Sequence, residues 1–287
     1  MKNSVYTILG ATGFIGGNLI RHLRGQGHDV LAPERDSPTP LNRFLGHVLY
    51  CIGFKTDFRN RPFETVDAHI GRLREILEDG HFRSLIYLSS TRVYRRASST
   101  DEDTALVLRP DDPDDVYNAS KVMGETLCLN SNREGTRVVR LSNVYGPDLR
   151  SETFLNAVVR DALRKKRIVL HTAPDSAKDY VGIDDVAAML PRIAEEGKAR
   201  IYNLASGRNT VQRDLTDALA RVTGCDVRYE PDAPKVEFPE VSIARLRREF
   251  GFAPADVTTR LDWLVQQFRD KLETAPAEAG TGNRKRK

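Results

Sequence analysis

The chain has 287 residues, 40% apolar and 29% charged, which suits a globular protein able to bury a core without disulfides or metals. Most of its net charge of +4 falls at the end, where Arg284, Lys285, Arg286 and Lys287 face only Glu278. The near-neutral body lacks the basic footprint of a nucleic-acid binder, and no apolar run is long enough to span a membrane. Cys51, Cys128 and Cys225 show no paired spacing, so a reducing, cytoplasmic setting without a metal site is expected. The glycine motif at Gly10 is read as leaving no room for a presequence.

The elements alternate from the start. Val5–Leu9 is a short apolar run, expected as a buried strand, and Phe14–Arg24 has helical spacing. Strands are expected at Asp29–Ala32, Val48–Ile52, Leu85–Leu88 and Arg137–Leu141, with helices at Thr65–Leu77 and Val116–Leu129. This order implies a parallel sheet covered by helices on both faces. The second half is less regular. Helices are predicted at Phe154–Lys165, Gln212–Thr223 and Thr259–Leu272, and short strands at Ile168–Leu170 and Ile201–Leu204. Asp184 or Asp185 is expected to cap a helix ending near Glu196. The acidic stretches Asp101–Asp103 and Asp111–Asp115 read as solvated loops.

Gly10-Ala11-Thr12-Gly13-Phe14-Ile15-Gly16 joins the first strand to the first helix. In such a turn the first glycine bends the chain, the second admits a pyrophosphate, and the third lets helix pack on strand. The helix N-terminus adds free N–H groups and a positive dipole end. Glu34, 18 residues after Gly16, is placed to hold ribose hydroxyls, which favours NAD. Arg35 beside it would suit a 2′-phosphate and keeps NADP open.

Tyr117 and Lys121 stand at i and i+4 on one helix face. A nearby ammonium favours the phenolate, bringing a tyrosine from its usual pKa of ~10 toward neutral proton exchange. Upstream, the strand Leu85–Leu88 runs into Ser89-Ser90-Thr91. Ligands bind beyond the carboxyl ends of strands in such sheets, so a serine there can hold a reacting oxygen.

With these blocks in order, the chain resembles the extended short-chain dehydrogenases/reductases of the NAD-dependent epimerase/dehydratase type. The resemblance runs from about Val5 to Leu272. It includes Arg140-Leu-Ser-Asn-Val-Tyr-Gly-Pro147, Asp179-Tyr-Val-Gly-Ile-Asp-Asp-Val186, Tyr202-Asn-Leu-Ala-Ser-Gly207 and Phe250-Gly-Phe-Ala-Pro254. It implies a doubly wound Rossmann domain over residues 1–150 and a smaller C-terminal α/β substrate domain over 151–273, with chain crossovers. Residues 274–287 are expected to form a disordered basic tail. It further implies Tyr117 as acid/base, Lys121 on the nicotinamide ribose, Ser90 as the hydroxyl partner, and Asn143 at the substrate. Thr91 and Lys178 complete the expected substrate contacts. A homodimer through the helices Thr65–Leu77 and Val116–Leu129 is also implied.

The sequence departs from this pattern in three places. Only 12 residues separate Glu34 from His47, so the usual third-strand unit is missing. The next strand ends in Cys51-Ile52-Gly53, where Cys51 and Gly53 would line the cofactor instead of the usual alanines. Ser90-Thr91-Arg92 stands where 4,6-dehydratases carry Thr-Asp-Glu, which argues against dehydration. The expected activity is therefore epimerisation or 4-keto reduction of a nucleotide-activated sugar. A reductase of another alcohol or ketone, and a non-catalytic dinucleotide sensor, are the rival readings. His69 is expected as a core or interface residue.

Overall fold

The computed structural model describes residues 3–54, 57–151 and 153–274. Its main sheet has six parallel strands in the order β2-β1-β3-β4-β5-β9. These are β1 (Val5–Leu9), β2 (Asp29–Leu31), β3 (His47–Tyr50), β4 (Ser84–Ser90), β5 (Thr136–Leu141) and β9 (Ile201–Leu204). The central strands are buried almost throughout, as expected when helices cover both faces. On one face lie α1 (Phe14–Gly25) and α6 (Ile183–Glu196), which pack Leu19, Leu23, Leu190 and Ile193 against Ile8, Leu49 and Ile86. On the other lie α3 (Arg72–Asp79) and α4 (Asp115–Asn130), whose Leu73, Ile76 and Cys128 meet Val48, Tyr50 and Tyr87. The doubly wound sheet read from the sequence is thus present.

The short Glu34–His47 interval has a structural counterpart. After β2 the chain returns directly to β3, which pairs with β1, so β2 forms the sheet edge. No strand lies outside β2 among the described residues. Arg72 instead pins the loop after β2, donating to the Arg35 and Ser37 carbonyls at 2.5 Å each.

Smaller sheets carry the rest. β6 (Asn143–Tyr145), β8 (Ala177–Gly182) and β10 (Asn209–Val211) form one, and β7 (Arg167–Leu170) pairs with β11 (Asp226–Tyr229) in another. A separate core joins α5 (Phe154–Lys165), α7 (Gln212–Thr223) and α9 (Leu261–Thr274) around Leu155, Val159, Leu219 and Phe268. Strand β9 comes from the second half of the chain yet completes the large sheet. The Asp179 carboxylate ties β8 to the loop after β9 by accepting the N–H groups of Ser206 and Gly207 at 2.9 and 2.8 Å.

Some expectations need correction. Gly182, not Asp184 or Asp185, occupies the cap of α6, and the two acids lie in its first turn, where they complement the helix dipole. Helix α9 extends through Thr274, so the expected tail does not begin there; residues 275–287 lie outside the described residues. Glu102 and Asp115 are buried rather than solvated, because each meets a distant partner: Glu102 the Asn203 N–H at 3.2 Å, Asp115 the Arg96 guanidinium. No helix among the described residues is long and apolar enough to cross a membrane.

Candidate active site

The glycine loop is shaped by steric exclusion. Gly10 has φ +86°, and a Cβ there would lie 2.9 Å from the Cys51 carbonyl and Ile52 nitrogen. A Cβ on Gly16 would come within 2.3 Å of the Gly10 carbonyl oxygen. Side chains at either position would push α1 off the sheet or close the turn. The cap of α1 is Gly13, with no side-chain cap and no acid in the first turn, so no protein carboxylate competes for the free N–H groups. Thr12 is exposed, while Phe14 and Ile15 are half-buried and pack on the adjoining core. The loop fits a dinucleotide pyrophosphate: narrow, uncapped and backed by main chain.

Glu34 and Arg35 are both exposed beyond the carboxyl end of β2. The Cys51 N–H donates to the Leu9 carbonyl at 2.9 Å, holding the end of β3 against β1. Gly53 faces His69 and Lys121, each 3.8 Å from where its Cβ would be. The ends of β1 and β3 and the glycine loop therefore lie beside the helix carrying Lys121.

Ser90 ends β4 and caps the short 3-10 helix Thr91–Tyr94, accepting the Arg92 N–H at 3.2 Å. Burial raises the Tyr117 pKa, while the nearby Ser90 hydroxyl and the Arg92 charge oppose that rise. The cation acting on the phenol is thus Arg92, whose guanidinium carbon lies 5.8 Å from the ring centroid. Lys121 points its Nζ at the Leu88 carbonyl, 2.8 Å away, and burial pushes its pKa down to about 7. In this geometry Lys121 lies deep beside β3 and β4.

Phe58 packs on the Tyr117 ring at 5.5 Å between centroids, and His69 meets it edge-on at 5.2 Å. His69 lies in a π-helical turn, Asp67–Gly71, of the kind found at functional sites. Its Nε2 accepts the Phe54 N–H at 3.2 Å, which leaves Nδ1 to donate to Ser120 Oγ at 2.7 Å. Ser120 in turn donates to the Tyr117 carbonyl at 2.9 Å. His69 is a positioning residue for the Tyr117 turn of α4, a role the sequence did not reveal.

Burial and the Lys121 charge push the His69 pKa down to about 2. An unfolded histidine titrates near ~6.5, so the stability tied to the neutral ring is complete above that pH and is lost as pH falls below it. The unfolding midpoint should therefore drop from pH ~6.5 toward pH ~5, and more steeply in wild type than in His69→Asn. Equal slopes in a pH series of thermal melts would contradict the buried neutral ring.

The model of the "NAD dependent epimerase/dehydratase family" matches residues 6–205. The chain belongs to this family. It is 27% identical to the dTDP-glucose 4,6-dehydratase of Streptomyces griseus, over 86% of this chain and 88% of that protein. It is also 27% identical to the UDP-glucose 4-epimerase of Mycolicibacterium smegmatis, over 84% and 88% respectively. Among solved structures, MoeE5 in complex with UDP-glucose and NAD superposes with a TM-score of 0.78 at 20% identity, covering 93% of this chain and 99% of that one. At that identity the superposition speaks for the fold.

Within the epimerase/dehydratase fold, the expected residues Asn143 and Lys178 lie on the smaller sheet. Asn143, on β6, donates to the Asp179 carbonyl at 2.9 Å. Lys178, on β8, lies over the Phe154 ring at 5.4 Å and is half-buried. Burial lowers its pKa, and repulsion from Arg92 adds to that. Thr91 is half-buried at the start of the 3-10 turn.

Proposed function

We propose that the protein is an NAD-dependent epimerase or 4-ketoreductase of a nucleotide-activated sugar. The nearness of the Ser90 hydroxyl to Tyr117, with Lys121 buried one helical turn on, carries this reading. Gly10, Gly13, Gly16 and the α1 N-terminus would hold the pyrophosphate, Glu34 the adenosine ribose, and Cys51 and Gly53 the space beside it. Lys121 would turn from the Leu88 carbonyl to the nicotinamide ribose. When bound, the nicotinamide supplies a hydride acceptor or donor.

Tyr117 moves the proton. With its pKa raised by burial it rests protonated and can donate to a ketone oxygen, the step a reductase needs. Taking a proton from a sugar hydroxyl requires the phenolate, which Ser90 and Arg92 favour. Ser90 would hold the reacting oxygen, and Asn143 and Lys178 would meet the rest of the substrate. Dehydration would need an acid and a base at neighbouring carbons, where β4 instead presents Thr91 and Arg92. The relatives named as epimerase and dehydratase support the sugar-nucleotide class.

Native mass spectrometry of freshly purified protein tests the reading. Retained NAD favours an epimerase, exchangeable NADPH a reductase, and a bound nucleotide sugar would name the substrate class; the bare β2 edge is what lends support to the sensor reading. The same spectrum reports the proposed homodimer. Exposed Phe63 and Val66 on the helix Pro62–Val66 and exposed Met123 on α4 support it, although Leu127 and Leu129 pack largely within the monomer.

Glu34 should favour NADH over NADPH, because its carboxylate accepts ribose hydroxyls and repels a 2′-phosphate. Glu34→Ala should narrow the difference by roughly tenfold, about one charged hydrogen bond. Tighter wild-type binding of NADPH in a fluorescence titration would make Arg35 the dominant contact.

A further inference from the structure

Between the end of β4 and the start of α4 the charges do not balance. Arg59, Arg92, Arg95 and Arg96 share the carboxylates of Asp112, Asp114 and Asp115. Asp114 alone serves three guanidiniums, and Arg92 receives only one contact from it, at 3.2 Å. The Nε of Arg92 is buried and has no hydrogen-bond partner. Lys178, on β8 over the Phe154 ring, is near enough to feel the Arg92 charge and has no acidic partner among the described residues. A buried N–H donor without an acceptor is costly, and a second unpaired cation beside it adds repulsion. Both costs vanish if an anion binds between them.

The place of that anion follows from Tyr117. The Arg92 guanidinium lies against the Tyr117 and Phe58 rings, 5.8 and 5.1 Å from their centroids, and the Arg92 backbone N–H donates to the Ser90 hydroxyl. A group held by Arg92 is therefore next to the reacting carbon, on the reacting ring. A diphosphate joined to the far side of that ring would lie farther off.

We propose that Arg92 and Lys178 bind a carboxylate on the sugar ring, so that the preferred substrate is a nucleotide-linked sugar acid. This rests on the nucleotide-sugar reading above. Arg92 Nε–H and a free Nη–H present a planar fork, which matches a carboxylate better than any neutral hydroxymethyl group. Lys178 adds a point charge from β8.

Calorimetric titration of the NAD-loaded protein with UDP-glucuronate and UDP-glucose, and with the corresponding dTDP pair, decides the matter. Wild type should bind the uronate roughly 10- to 100-fold more tightly, one to two charge-assisted bonds. In Arg92→Gln and in Lys178→Gln the uronate-to-hexose ratio should collapse toward one. Equal affinity for uronate and hexose in wild type overturns the carboxylate site while leaving the nucleotide-sugar reading intact. A Lys178→Gln loss that is equal for both ligands assigns Lys178 to the diphosphate and overturns its part. Failure of every nucleotide sugar to bind overturns both.

Discussion

Tyr117→Phe is expected to lower turnover by roughly 10²–10⁴-fold, the usual worth of a positioned acid–base group. The phenyl ring keeps the contacts with Phe58 and His69 and loses only the hydroxyl near Ser90. Dinucleotide binding should change little, because the glycine loop and Lys121 do not depend on that hydroxyl. Steady-state kinetics with a cofactor titration on the same sample measures both. Near-normal turnover would remove Tyr117 from the chemistry. A parallel loss of cofactor binding would mean that the ring, not the proton, is what matters.

The fold was legible where local chemistry determines it. Strand β1, the glycine turn and α1 follow from an apolar run, three glycines and a 3.6-residue period, and α5 and α7 end where their patterns end. Strands β6, β8, β10 and β11 were missed, as was the helix Ala244–Phe250. Asn143–Tyr145 and Asn209–Val211 are too short and too mixed in polarity to signal a strand, and exist because β8 pairs with both. The site divides the same way. Ser90, Tyr117 and Lys121 announce themselves by spacing. His69, Phe58 and Arg72 act through contacts 15 to 59 residues away in sequence, and no periodicity encodes these.

The largest stability effect should come from the pair beneath the site, Glu125 and Arg140. Each is 3% exposed, and Arg140 Nη2 lies 2.6 Å from Glu125 Oε2. Glu125 also accepts the Ser89 hydroxyl at 2.5 Å. Arg140 also donates to the Tyr94 hydroxyl at 2.7 Å and the Glu102 carbonyl at 3.2 Å, and Tyr94 passes its proton to Asn203 at 2.7 Å. The network joins α4, β4, β5 and β9, one turn below Lys121 and one residue from Ser90. Removing one partner leaves the other charge buried and unpaired, so Glu125→Gln or Arg140→Met should each cost about 3–5 kcal/mol. Against a total of roughly 5–15 kcal/mol, that loss would leave much of the protein marginal. Replacing both should be milder, since two apolar side chains of similar volume avoid the desolvation of both charges. Urea denaturation of wild type, the two single variants and Glu125→Leu/Arg140→Met gives the coupling. A double variant less stable than either single would show that the cross-links from Arg140 to Tyr94 and Glu102, more than charge pairing, hold α4 to the sheet.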